Sequence, residues 1–117
     1  EQDELVELRG LASMVNRTQA MIEFTLDGTI LTANENFLNA TGYRLDEVKG
    51  RHHSMFVDPA YAGSPEYRQF WARLAAGQTE VGAFRRFAKG GRELWLQAAY
   101  APVADETGRP AKVIKTA

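Results

Sequence analysis

The sequence predicts an α+β fold: a five-stranded antiparallel sheet with short helices on one face, preceded by an N-terminal amphipathic cap helix. Three observations carry this expectation. Period-two apolar alternation appears twice near residues 22–32 and three times after residue 80. Helical spacing appears in brief stretches between those two groups. Glycine-containing turns, Asp27-Gly28 and Lys89-Gly90-Gly91-Arg92, join successive strands as hairpins. The expected division is residues 1–20 as the cap helix and residues 21–117 as the body.

Composition bounds the rest. A chain of 117 residues supports one core. With 14 Lys and Arg against 15 Asp and Glu, the net charge is −1, which is no nucleic-acid footprint. The local basic group Arg85, Arg86, Lys89 and Arg92 reads as a solvated face. Cysteine is absent, which excludes disulfides, thiol nucleophiles and thiolate-bound metals. No apolar run approaches the roughly 18 residues that cross a bilayer, and no signal peptide opens the chain. The expectation is a cytoplasmic domain without membrane insertion. It opens inside a helical pattern and stops after a strand, as a segment of a longer protein would.

In chain order, Leu5, Leu8, Leu11 with Ala12, and Val15 make an apolar helical stripe that needs cover, from the sheet or from a partner's helix. Ile22–Leu26 and Thr29–Thr32 form a hairpin across Asp27-Gly28. Asn34 caps a helix carrying Phe37, Leu38 and Thr41, and Gly42 stops it. Leu45–Val48 is a further helical turn closed by Gly50, and Asp58-Pro59 marks a turn. Ser64-Pro65-Glu66 starts a longer helix that presents Phe70, Trp71 and Leu74 and runs to Gly77. Val81–Ala88, Glu93–Pro102 and Lys112–Thr116 complete the sheet as a meander.

This order, with Asp27-Gly28-Thr29-Ile30, Asn34-Glu35-Asn36-Phe37, Gly42-Tyr43, Leu45 to Gly50, Gly90 to Trp95, and Pro102-Val103 before Asp105 to Gly108, resembles the PAS family of sensory domains. The resemblance spans Met21 to Ala117. Within the family, His53-Ser54-Met55, the helix holding Trp71, and Glu93 to Leu96 are most similar to PAS domains of bacterial chemotaxis receptors of the aerotaxis type. It implies a cavity between the helices and the sheet, and a dimer formed through the N-terminal helix.

A ligand cavity needs apolar walls and a few placed polar groups. Asn34, Asn36, Arg51, His52, His53 and Gln97 are the polar candidates; Phe37, Leu38, Met55, Phe56, Trp71 and Trp95 are the walls. Asn34 serves either as a cap or, as the resemblance implies, beside a flavin. His52 and His53 are adjacent, so their side chains diverge and do not share a metal; no other His or Cys completes a four-ligand site. One of them, His53 first, suffices as an axial ligand if the cofactor is haem. Either also suits the polar edge of a flavin, with Arg51 as charge partner. The resemblance places Trp71 beside a flavin, and Trp95 lies on a strand apolar on both faces. Where flavin-binding aerotaxis receptors carry Arg, His and Asp, this chain has Val57, Asp58 and Ala60.

The expected function is therefore a chemoreceptor sensory module. It holds FAD, or alternatively haem b, and passes its state to a downstream domain of the same chain. The alternative is a cofactor-free dimerisation module. No nucleophile–base set or phosphate-cradling loop points to an enzyme.

Overall fold

A computed structural model describes residues 2–117. Glu1, and the side chains of Ala12 and Val15 from the expected stripe, lie outside that description. Helix α1 (Gln2–Thr18) leads into strand β1 (Met21–Phe24) and β2 (Ile30–Ala33). Helices α2 (Glu35–Thr41) and α3 (Leu45–Val48), a 3₁₀ turn (His53–Phe56), α4 (Pro59–Ala62) and α5 (Pro65–Ala75) follow. The chain ends in β3 (Glu80–Phe87), β4 (Glu93–Ala104) and β5 (Pro110–Thr116). All strand pairs are antiparallel, in the order β2-β1-β5-β4-β3, so the two hairpin groups meet where β1 pairs with β5.

Local chemistry accounts for each boundary. Asn34 caps α2 by accepting from the Phe37 N–H, and Gly42, at φ +78°, closes that helix with its N–H on the Leu38 carbonyl. Ser64 caps α5 by accepting from the Tyr67 N–H, with Pro65 in the first turn. The expected turn at Asp58-Pro59 is instead the start of α4: the Asp58 carboxylate accepts from the Ala60 N–H and nucleates a helical turn. The 3₁₀ turn falls at His53–Phe56, where no element was expected.

The helices between β2 and β3 cover one face of the sheet. Phe24 and Ile22 from β1, Ile30 from β2, Tyr100 from β4 and Val113 from β5 point inward, against Phe37, Val48, Phe56, Phe70, Trp71 and Leu74. The other face carries Val81, Trp95 and Gln97, exposed to solvent. Helix α1 does not settle on either face: Leu5, Val6, Leu8, Leu11 and Met14 are each 48% to 66% exposed. No described helix is long and apolar enough to cross a membrane.

Candidate functional site

The site begins with a backbone pairing. After α3 the chain returns antiparallel beside the first hairpin: Gly50 N–H donates to the Ile30 carbonyl, Ile30 N–H to the Arg51 carbonyl, and His53 N–H to the Gly28 carbonyl. Thr29 and His52 form an isolated bridge there. Extended backbone sends successive side chains to opposite sides, so His52 turns toward the hairpin and His53 into the core. The Ser54 N–H donates to His52 Nδ1 at 3.0 Å. Nδ1 is therefore the unprotonated nitrogen, and Nε2–H donates to the Asp27 carbonyl at 2.7 Å.

His53 is fully buried, within a polar knot in an otherwise apolar interior. Its Nδ1 lies 2.7 Å from the Tyr67 hydroxyl and its Nε2 2.9 Å from the Tyr100 hydroxyl. Burial, reinforced by the nearby positive charges of Arg86 and Lys115, holds its pKa well below the usual histidine value, so the ring is neutral. One nitrogen then donates and the other accepts. Arg86 Nε donates to the Tyr100 oxygen at 3.1 Å and Nη1 to the Arg85 carbonyl at 2.8 Å. Its Nη2 finds no partner. Lys115 holds its ammonium 5.0 Å above the Tyr100 ring, and the Arg86 guanidinium lies 5.0 Å from the centre of Phe84. Burial and then Arg86 push the Lys115 pKa down to about 7, and burial raises the Tyr67 and Tyr100 hydroxyls to about 12.

Trp71 packs edge-on to Phe24 at 5.4 Å and to His53 at 5.3 Å, and its ring lies 6.2 Å from that of His52. Its buried indole N–H lies beside the Tyr67 hydroxyl, and this donor opposes the rise that burial gives that group's pKa. Gly28, at φ +94°, makes this approach possible: a Cβ there would lie 2.7 Å from His52 Nε2 and 3.0 Å from Trp71 Cε2. Between the first hairpin and α5 runs an open groove of about 450 Å³, walled by Leu26, Asp27, His52, Tyr67 and Trp71.

A family model for the PAS fold matches residues 30–117. The chain belongs to the PAS family. This PAS domain is 48% identical over 103 residues to the biofilm dispersion protein BdlA of Pseudomonas aeruginosa, an alignment covering 88% of the chain and 25% of that relative. To the aerotaxis receptor of Escherichia coli it is 27% identical over 93 residues, 80% of the chain and 18% of the receptor. The chain thus spans a quarter or less of the length of these curated relatives. A light-oxygen-voltage domain studied with a flavin analogue shares the fold, with a TM-score of 0.74 at 23% identity over 90% of this chain and 79% of that one.

The PAS domain brings His52, His53 and Trp71 together and sends the other expected site residues elsewhere. Asn34 accepts from the Met21 and Phe37 N–H groups, both at 3.0 Å, and donates to the Gln19 carbonyl at 2.8 Å. Asn36 reaches the same carbonyl at 3.1 Å. These two side chains clasp the α1–β1 junction to the start of α2. The Arg51 side chain is exposed. Trp95, expected as a cofactor contact, is 64% exposed on the outer face, opposite Arg85, and Gln97 shares that face. In this register β4 presents Leu94, Leu96 and Tyr100 to the helices, so odd-numbered residues face away from them. Arg86 corrects the expected solvated basic face in the other direction, since its parity with Phe84 turns it inward, where it is only 5% exposed. Tyr67, Tyr100 and Lys115 were missed as site residues. The signal for Lys115 lay in the alternation of β5, where it shares the inward parity of Val113.

The expected cavity is also corrected. Phe24, Phe37, Phe56, Phe70, Trp71 and Tyr100 fill the space between helices and sheet. The void lined by Phe37, Phe56, Arg86, Leu96 and Lys115 measures about 10 Å³, against the several hundred Å³ of ordinary cofactor sites. Neither an isoalloxazine nor a haem fits inside this packing. His53 also has both ring nitrogens committed, which leaves neither for an axial bond to iron. Among the described residues, the groove beside Trp71 combines the volume of a cofactor site with two of the expected contacts, His52 and Trp71.

Proposed function

We propose that this PAS domain is the signal-input module of a chemotaxis-type receptor, and that FAD is the cofactor it holds, against the groove between the first hairpin and α5. The observation that carries the reading is the juxtaposition of His52 and Trp71 on the wall of a groove of about 450 Å³. The likeness to an aerotaxis receptor and to BdlA supports the receptor context. A ligand there would press on Trp71, which packs on Phe24 of β1 and on His53. Movement of those rings would shift the sheet and alter its outer face. Helix α1 would carry the change to a second copy, and the region beyond β5 to a downstream domain.

The filled interior favours a second reading, a cofactor-free module that dimerises through α1 and the outer sheet face. The absorption spectrum of the freshly purified protein separates the two. Flavin bands that decline in Trp71→Ala support the first. A Soret band would identify haem b instead, and a colourless protein that releases no flavin on denaturation sinks the cofactor reading.

A further inference from the structure

The two edges of the sheet differ. Beside β2 the chain returning from α3 pairs with Ile30, whose carbonyl accepts from the Gly50 N–H and whose N–H donates to the Arg51 carbonyl. No described segment does this for β3, the opposite edge. The register fixes which of its groups stand free. Ala20 and Ala117 exchange both backbone bonds, so odd-numbered residues of β5 face β1 and even-numbered ones face β4. Thr116 opposes Ala99 and Tyr100 opposes Glu80, which carries the alternation across the sheet: even-numbered residues of β3 bond to β4. The N–H and C=O groups of Val81, Ala83 and Arg85 therefore point away from the sheet. Arg86 Nη1 takes one lone pair of the Arg85 carbonyl. The remaining groups form an unused ladder edge, and such an edge is a template for another strand. A groove of about 340 Å³, walled by Asp58, Tyr61, Ala83, Arg85 and Trp95, runs beside it.

A second observation lies at the same edge. Arg86 is 5% exposed, its Nη2 has no hydrogen-bond partner, and every ion pair recorded among the described residues joins other side chains. A buried charge is ordinarily matched by its opposite. We propose that β3 pairs antiparallel with β3 of a second copy, about a two-fold axis at Ala83, and that Glu80 of each copy supplies the carboxylate that Arg86 of the other lacks. The register follows from the free groups. The axis passes an odd-numbered residue, and centring on Ala83 overlaps the two strands most. Centring on Arg85 would instead set two like charges face to face. With Ala83 at the axis, Gly82 faces Phe84, whose ring can cover the glycine. Glu80 faces Arg86, with both side chains on the helix-covered side, so the opposite charges meet. Glu80 already holds Arg73 through both oxygens, at 2.8 and 3.2 Å, and a carboxylate has lone pairs for a further guanidinium. The exposed Arg85–Asp58 contact across this edge, at 3.9 Å, gives way at little cost. Two copies joined in this way gain about six backbone hydrogen bonds. The inference rests neither on the flavin reading nor on the contacts of α1.

Sedimentation velocity tests this in a Leu8→Asp, Leu11→Asp background, which removes the apolar stripe of α1. The domain should still form dimers as its concentration rises. Ala83→Pro should abolish them, because the Ala83 N–H serves no bond within one copy and proline is tolerated on a free edge. Glu80→Gln should weaken association at least tenfold, and far-UV circular dichroism establishes that both variants fold. The chain has no cysteine, so Ala83→Cys places a single thiol at the axis, where a short bismaleimide should join two copies. Val81→Cys should couple far less, since two such thiols would lie about 14 Å apart along the strands. A monomer at every concentration, dimers that survive Ala83→Pro, or preferential coupling at Val81→Cys would overturn the pairing. Association unaltered by Glu80→Gln would overturn Glu80 as the counter-charge of Arg86.

Discussion

Lys115 shows how far one side chain departs from what its residue type suggests. It ends a run of inward-facing strand residues, and among the described residues Arg86 from β3, the neutral His53 and the Tyr100 ring face it at electrostatic range. Its pKa falls from 10.5 to about 7 on folding, chiefly through burial. Between those two values the unfolded chain binds more protons than the folded one, so stability rises with pH across that window. Lys115→Met should therefore raise stability at pH 7 by about 1–4 kcal/mol and flatten the rise of Tm between pH 7 and 10. Urea denaturation at several pH values measures both effects. A variant less stable than the parent at pH 7 would show that the ammonium earns its place through contacts with its neighbours. At the same scale, the two histidines demonstrate that adjacency in sequence is not adjacency in role. His52 braces a turn through its backbone partners, while His53 organises two tyrosines.

Among the elements, α1 stands apart. Its 17 residues form a helix whose described apolar side chains lie open to solvent, and a helix of that length is marginal in water without tertiary cover. The exposed faces of Val81 and Trp95 offer cover of the same kind on the sheet. Leu8→Asp combined with Leu11→Asp should weaken self-association at least tenfold, corresponding to about 1.4 kcal/mol or more, while the melting of the body stays close to the parent's. Sedimentation equilibrium checks the first and circular dichroism the second; an unchanged association constant would count against the proposed dimerisation through α1. Other elements are tied locally. Lys89 pairs with Glu47 at 2.6 Å, fastening the β3–β4 turn to α3, and Arg73 holds Glu80 with two nitrogens across the α5–β3 junction. These partly exposed pairs contribute little energy each and mainly hold the connections in place.

At the scale of the whole molecule, one sheet separates two environments. Its inner side is packed with rings and the buried polar knot. Its outer side carries exposed apolar residues. Each side has one tryptophan, and these report on the two environments independently. With Trp95→Phe, the emission of Trp71 should be blue-shifted and resist quenching by acrylamide. With Trp71→Phe, the emission of Trp95 should be red-shifted and readily quenched. If the domain dimerises through the outer face, as proposed, raising the concentration should protect Trp95 and leave Trp71 unaffected. Equal protection of both would place the dimer contact somewhere other than the outer face.

Much of the architecture was legible in the chain because it is set locally. Asn34 and Ser64 cap helices wherever they precede a helical run, Gly28 and Gly42 accept positive φ, and alternation marks strands. The resemblance to PAS domains added the order in which these pieces join. The four-residue α4 was read as a turn from Asp58-Pro59, and the 3₁₀ turn has no period and no flanking signal like the Gly50 that marked the equally short α3. Arg86 and Trp95 were assigned to the wrong faces for a different reason. A strand's alternation defines two faces but does not say which one the helices cover, and charge alone made Arg86 look solvated.

The sequence by itself determined the strands, the hairpin turns and the starts of α2 and α5, since each rests on neighbours within a few residues, and the order of these pieces along the chain pointed to the family. Only the tertiary structure decided that the interior is filled with rings, that Arg86 and Lys115 lie within it without a carboxylate partner, and that His53 joins Tyr67 to Tyr100. Those facts depend on contacts between residues 14 to 47 positions apart. No local pattern encodes them, because burial is a property of the assembled layers and not of any one segment.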